Sequence, residues 1–184
     1  MPTTANVSVG KPSIAGGIWR APIGTTLPTD ATTALDAAFK QLGYVSEDGV
    51  TNASNLDISV VKAWGGNVVL LLNNGKEDTF AFTLIETLNI DAKKAVYGSD
   101  NVTGTLANGI ETHVNNSDPE EGVWVIEVRL RGNIYHRIVI PDAQMSDLGD
   151  IVYKDDEAIG YEMTITALED STGNTHHEYD KQVP

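Results

Sequence analysis

Val123-Trp124-Val125-Ile126-Glu127-Val128-Arg129-Leu130-Arg131-Gly132-Asn133-Ile134-Tyr135-His136-Arg137-Ile138-Val139-Ile140 is the stretch that decides the fold. It is two β-branched, aromatic-rich runs separated by a glycine-containing turn, the pattern of an antiparallel hairpin. A two-residue turn at Gly132-Asn133 would set Glu127 opposite Ile138 and Val128 opposite Arg137, mixing charge with core. A three-residue loop, Arg131-Gly132-Asn133, instead pairs Leu130 with Ile134, Val128 with His136, Ile126 with Ile138 and Trp124 with Ile140. The other face then pairs Glu127 with Arg137 and Val125 with Val139. This register gathers the apolar side chains and matches opposite charges, so it is preferred. Pro141, which has no N–H for a ladder, is expected to close the second strand.

Working outward, short apolar runs alternate with stretches rich in Thr, Asn, Gly and Asp. The expected class is mainly β with a minor helical part: a β-sandwich or barrel with a flanking helix, long loops and extended terminal arms. Strands are expected near 18–23, 57–64, 68–72, 79–86 and 159–168. In 79–86, Phe80, Phe82 and Leu84 share one face; in the last strand, Tyr161, Met163, Ile165 and Ala167 do. Gly65-Gly66-Asn67 reads as the turn between 57–64 and 68–72. Helices are expected over 31–42, from the spacing of Ala34, Leu35, Ala38, Phe39 and Leu42, and over 90–97, between Asn89 as cap and Gly98 as stop. Residues 1–17 read as a polar arm, 18–168 as the core and 169–184 as a polar tail, one domain over 1–184. Three long connections are expected, 46–56, 99–121 and 142–158, of the kind that a partner orders.

The chain has 184 residues, enough to bury a core without staples, and no cysteine, so no disulfide or thiolate metal site is possible. Missing cysteine fits synthesis in a cytoplasm. Its first twenty residues show no secretory pattern, and the longest aliphatic run, 68–72, is too short to span a bilayer as a helix. Against 12 Lys and Arg stand 26 Asp and Glu, a net charge of -14. Such a surface repels phosphate, which disfavours direct nucleic-acid binding; solubility alone is the alternative use of the charge.

No Walker loop, GxGxxG unit, HExxH or GxSxG elbow occurs, and no cofactor is expected. His176 and His177, beside Glu178 and Asp180, are read as a solvated tail rather than a metal clip. His136 is read as a hydrogen-bonded core or interface histidine rather than a base. The acids Glu47, Asp48, Glu120, Glu121, Asp155, Asp156 and Glu157 fall in expected loops, where hydration is preferred over calcium. Arg129, Arg131 and Arg137 cluster around one hairpin with Glu127. Two readings stay open: neutralisation of local carboxylates, or presentation of arginine to the acidic face of an identical neighbour. Trp64 and Trp124 are expected in the core rather than as sugar-stacking faces.

Several segments together, in order, resemble the major tail tube proteins of long-tailed, non-contractile phages. They are Ile18-Trp19-Arg20-Ala21-Pro22-Ile23-Gly24-Thr25-Thr26-Leu27-Pro28, Gly43-Tyr44-Val45-Ser46-Glu47-Asp48-Gly49-Val50, Lys62-Ala63-Trp64-Gly65-Gly66, Thr79-Phe80-Ala81-Phe82-Thr83-Leu84-Ile85-Glu86, Val96-Tyr97-Gly98 and Arg137-Ile138-Val139-Ile140-Pro141. The resemblance implies a β-sandwich subunit that forms hexameric rings stacked around a tape-measure protein, with tail-tip and tail-terminator proteins at the ends. It implies a virion location, no catalytic residues, and DNA that passes through without specific binding. No immunoglobulin-like C-terminal domain is expected. A tail-end or capsid-decorating protein and a carbohydrate-binding β-sandwich are the alternatives.

Overall fold

A computed structural model of the chain describes residues 2–13 and 17–184 apart from the Ala5 side chain, so Met1 and positions 14–16 of the expected N-terminal arm lie outside the described residues. In chain order the elements are β1 (Gly10–Pro12), β2 (Ile18–Ala21), β3 (Lys40–Gln41), β4 (Val45–Lys62), β5 (Val68–Leu84), α1 (Ile90–Tyr97), β6 (Val102–Thr105), β7 (Gly109–Thr112), β8 (Gly122–Leu130), β9 (Ile134–Leu148), β10 (Tyr161–Ala167) and β11 (His177–Gln182), with short 3-10 turns at Thr4–Asn6 and Ser99–Asn101.

β8 and β9 pair in the preferred register, Trp124 opposite Ile140 and Glu127 opposite Arg137, around a loop in which Gly132 and Asn133 take positive φ. β9 does not stop at Pro141, however. It continues to Leu148, and Pro141 sits where the pairing with β8 bulges between Gly122 and Trp124. On its other edge the partner changes there, from β11 (opposite 134–139) to β10 (opposite 143–148). A residue without an N–H is tolerated because neither neighbour requires its donor at that point.

That switch organises the molecule. The first half of β9 belongs with β2, β3, β8 and β11; the second half belongs with β10, β5 and β4. The two halves face each other over one core, with Ile18, Trp124, Ile126 and Ile140 from the first meeting Phe80, Phe82, Leu84, Met163 and Ile165 from the second. Strands that change sheets at bulges are how sandwiches turn corners. Trp124 lies 6.0 Å from Phe82, centroid to centroid, and points its indole N–H at the Ala143 carbonyl, 3.4 Å away.

α1 closes the core through Ala92 and Val96. The Asn89 side chain accepts the Asp91 N–H at 2.9 Å, and the Gly98 N–H reaches the Lys94 carbonyl, so cap and stop are the residues the sequence indicates. Asn89→Ala should cost about 1 kcal/mol, read from the urea midpoint of the monomer.

Residues 31–42 contain no helix. Asp30 accepts the N–H groups of Thr32 and Thr33 at 2.6 and 2.5 Å, and Asp36 accepts that of Ala38 at 2.9 Å. Arg137 donates to the carbonyls of Asp30 and Thr33, both at 2.8 Å, which a helix would have used for its own bonds. Side-chain capture of local backbone groups competes with helix formation. The apolar residues are still used: Phe39, Leu35, Ala38 and Leu27 cover Ala21, Val123, Val125 and Val139 on the outer face of the first half.

The expected connections also change. Residues 46–56 are part of β4; 99–121 contains the β6–β7 hairpin; 142–148 is β9. The polar tail carries β11, so 159–168 is not the last strand, and part of the N-terminal arm is β1, paired to β8.

Candidate assembly surface

β4 and β5 form a ribbon of 18 and 17 residues, well beyond the usual strand length of about 3–10. Only its base is packed. In β5, Phe80, Phe82 and Leu84 enter the core, whereas every residue from 54 to 77 is exposed. From the Ser54–Asp78 pair to the tip the ribbon extends about 25 Å beyond its support, at ~3.3 Å per residue.

The chemistry of this extension is unlike a solvated hairpin. Ser59 pairs with Leu72 and Val61 with Leu70 on one face; Ile58 pairs with Asn73 and Val60 with Leu71 on the other. Both faces are therefore apolar, and Leu70, Leu71, Leu72, Val68, Val69 and Val60 all stand in water. An isolated two-stranded ribbon is marginal in water, and contiguous exposed apolar surface marks an interaction site. Among the described residues β4 also has no strand paired to its outer edge. Trp64, expected in the core, is instead 107% exposed in the turn joining the strands.

At the base lies a buried polar cluster. Asp78 is fully buried, and its carboxylate accepts from Asn52 Nδ2 (2.8 Å), Ser54 Oγ (2.8 Å) and Thr175 Oγ1 (2.7 Å) and faces His176 Nδ1 at 2.5 Å. The His176 ring stands edge-on to Phe80, with centroids 5.4 Å apart. The expected solvated histidines are thus docked: His176 on Asp78, and His177 beside Asp170 at 3.2 Å. His136 faces Asp180 at 2.8 Å. The Thr175 and His176 contacts to Asp78 bind the C-terminal segment to the hairpin's root, His136–Asp180 ties β11 to β9, and His177–Asp170 lies within the segment itself. Among the described residues no group of three or more His, Asp or Glu is placed to hold a metal ion.

Burial alone pushes the Asp78 carboxyl up, but the hydrogen bonds from Thr175, Asn52 and Ser54 and the adjacent His176 outweigh it and bring it to about 2. A folded-state value below the unfolded one stabilises the fold above the unfolded value and is lost as pH falls. The contribution, about 2 kcal/mol, should be present above about pH 4 and disappear toward pH 2. Urea titrations of wild type and Asp78→Asn between pH 6 and 2.5 check this. The wild type should lose stability more steeply below pH 4 than the variant.

The residues singled out from sequence are only partly brought together: Glu47 and Asp48 share one cleft with Glu127 and another with Lys154 and Glu157, and the rest lie apart. Arg137 is only 5% exposed; its Nε and Nη2 donate to Glu127 at 3.0 and 2.5 Å, so these two pair within the chain. Arg129 stacks over Tyr135, its guanidinium carbon 4.1 Å from the ring centroid, and donates to the Tyr135 hydroxyl. Arg131 is exposed in the β8–β9 loop. Glu120 accepts from Ser99 and Arg20, the latter at 3.2 Å, and is held below its ordinary pKa by those bonds against the opposing effect of burial. Glu121 lies beside it, immediately before β8. Glu47 and Asp48 are exposed at the root of β4, in a strand rather than a loop, and Asp155, Asp156 and Glu157 lie in the exposed loop before β10.

The hairpin with its turn at Gly65-Gly66-Asn67 is the expected one, and what the sequence reading missed is that it stands exposed beyond the core. Its signal was present in 68–72, an unbroken apolar run, which marks a strand covered on both faces. The model of the family described as phage tail tube protein matches residues 4–179 of this chain. No curated protein matches it.

Proposed function

The chain belongs to the phage tail tube protein family, and from that membership we propose that it polymerises as stacked hexameric rings into the conduit that delivers DNA to the host. It is a structural virion component that assembles with copies of itself. The observation that supports the ring-and-stack reading is the β4–β5 ribbon, apolar on both faces and carried clear of its own core. A surface of that kind is stable only when a neighbour covers it, and in a homopolymer the neighbour is another copy. The unpaired edge of β4 adds a row of backbone donors and acceptors for strand pairing between copies.

A single tail-tube domain over residues 1–184 fills this role, synthesised in the host cytoplasm and built around a tape-measure protein, with tip and terminator proteins bounding the tube. No residue is assigned a catalytic role. Glu120, Glu121, Asp155, Asp156 and Glu157 are the acids proposed to keep the conduit repulsive to DNA, whereas Glu47 and Asp48 line a cleft at the root of β4; Arg131, exposed beside the β8–β9 turn, is the arginine best placed to meet an acidic neighbour.

Negative-stain electron microscopy of concentrated protein, alone and with tape-measure and tail-tip components, tests the reading. Hollow rings or tubes of uniform diameter are expected. Monomers under every condition would overturn it.

A further inference from the structure

A second feature lies at the opposite end of β4 from Trp64. Between β1, β8 and the root of β4 the surface opens into a cleft of about 460 Å³. Pro12, Ile18, Val45, Val50, Ile126 and Val128 supply its apolar lining, and its charged lining is three acids, Glu47, Asp48 and Glu127, against one cation, Lys11. We propose that the Trp64 indole of one copy seats in this cleft of the next copy, a directional contact between the tip of one hairpin and the root of another. The proposal rests on the tube reading and specifies the surface that receives the hairpin.

Three observations carry it. First, Trp64 is presented rather than left over: its turn is closed by the Ala63 N–H to the Asn67 carbonyl at 2.8 Å and the Gly66 N–H to the Ala63 carbonyl at 2.9 Å. A large aromatic held on a closed turn loses little freedom on binding, which is how interface anchors act. Second, shape and charge agree. The cleft falls within the ~300–1,000 Å³ of sites that enclose compact apolar groups. Lys62, two residues from Trp64, has no ion pair among the described residues, and neither Glu47 nor Asp48 has one with a basic side chain. Docking the tip brings that cation to those anions.

Third, geometry forbids the contact within one molecule. Residues 50 and 62 are twelve positions apart on an extended strand, roughly 40 Å. Donor and acceptor therefore lie on different copies. Each copy offers one of each, so copies related head to tail, as the tube reading requires, carry the contact from subunit to subunit, and a covalent ladder rather than a closed dimer is its signature.

The test uses the absence of native cysteine. Ala63→Cys with Ser46→Cys keeps Trp64 and puts one thiol at the tip and one at the cleft. Oxidation of assembled protein should give a ladder of covalent multimers on denaturing gels, whereas either single variant should give no ladder. Trp64→Ala should raise the concentration needed for assembly by roughly tenfold or more, the effect of losing an interface anchor. Its urea midpoint as a monomer should match wild type, since the ring touches nothing in its own subunit. Lys62→Glu should weaken assembly, and Lys62→Glu with Glu47→Lys and Asp48→Lys should restore it in part. Tubes that form alike from wild type and Trp64→Ala, with no ladder from the oxidised double variant, overturn the docking and leave the tube reading standing. Wild-type protein that never assembles overturns the tube reading and this inference with it.

Discussion

Leu70→Thr with Leu72→Thr should yield a subunit that folds normally and does not polymerise. Both side chains lie on one face of the unsupported half of the ribbon and are exposed in the subunit, so their loss removes no core contact. Threonine is β-branched and favours a strand, and the monomer's stability should change by less than about 0.5 kcal/mol. In the assembled state the loss is different. Burying a leucine contributes about 1.5–3 kcal/mol, so two removed from each subunit contact weaken it by more than ~100-fold. Sedimentation at the concentration where wild type forms tubes reads the effect directly. Because the opposite face is equally apolar, Val60→Thr with Leu71→Thr should fail in the same way. Normal tubes from both variants would mean that the ribbon is not a contact between copies.

The second large effect is expected inside the subunit. Arg137→Met should lower folding stability by about 3–5 kcal/mol, the range for removing one member of a buried ion pair. Three of its nitrogens are engaged: Nε and Nη2 on Glu127, and Nη1 on the carbonyls of Asp30 and Thr33. Without them a half-buried carboxylate and two carbonyls lose their partner, and the 30–39 segment loses its tie to the outer face of the first half. Adding Glu127→Gln should recover part of the loss, because the stranded charge is then gone. Urea unfolding of monomeric protein measures both variants. An Arg137→Met subunit as stable as wild type, but unable to assemble, would instead place this arginine in a contact between copies.

Arg137 also shows where sequence reasoning reached its limit. The opposition of Glu127 and Arg137 followed from the hairpin register alone. That the same guanidinium takes the carbonyls of Asp30 and Thr33 could not be read, because those residues are more than a hundred positions away. This one side chain removes the acceptors of a helix that the spacing of Ala34, Leu35, Ala38, Phe39 and Leu42 otherwise supports. The apolar periodicity was a true sign of burial and a false sign of helix. Pro141 misled in a related way: missing an N–H ends a strand only where a neighbour needs that donor, and here the ladder bulges on one side and changes partner on the other.

What the sequence determined by itself was local or paired through a short turn. The β8–β9 register follows from which residues are apolar and which are charged across a three-residue loop. The helix at Ile90–Tyr97 follows from an asparagine that can accept a hydrogen bond and a glycine that can take positive φ. The inward faces of Phe80, Phe82, Leu84 and of Tyr161, Met163, Ile165 follow from period-two alternation. What only the tertiary structure decided was which apolar residues find a partner within the chain. Trp64 and Trp124 look alike in sequence, yet one is buried against Phe82 and the other stands in water at the end of a ribbon. Hydrophobicity states that a side chain should leave water, and the packing of the whole chain decides whether its own subunit can cover it.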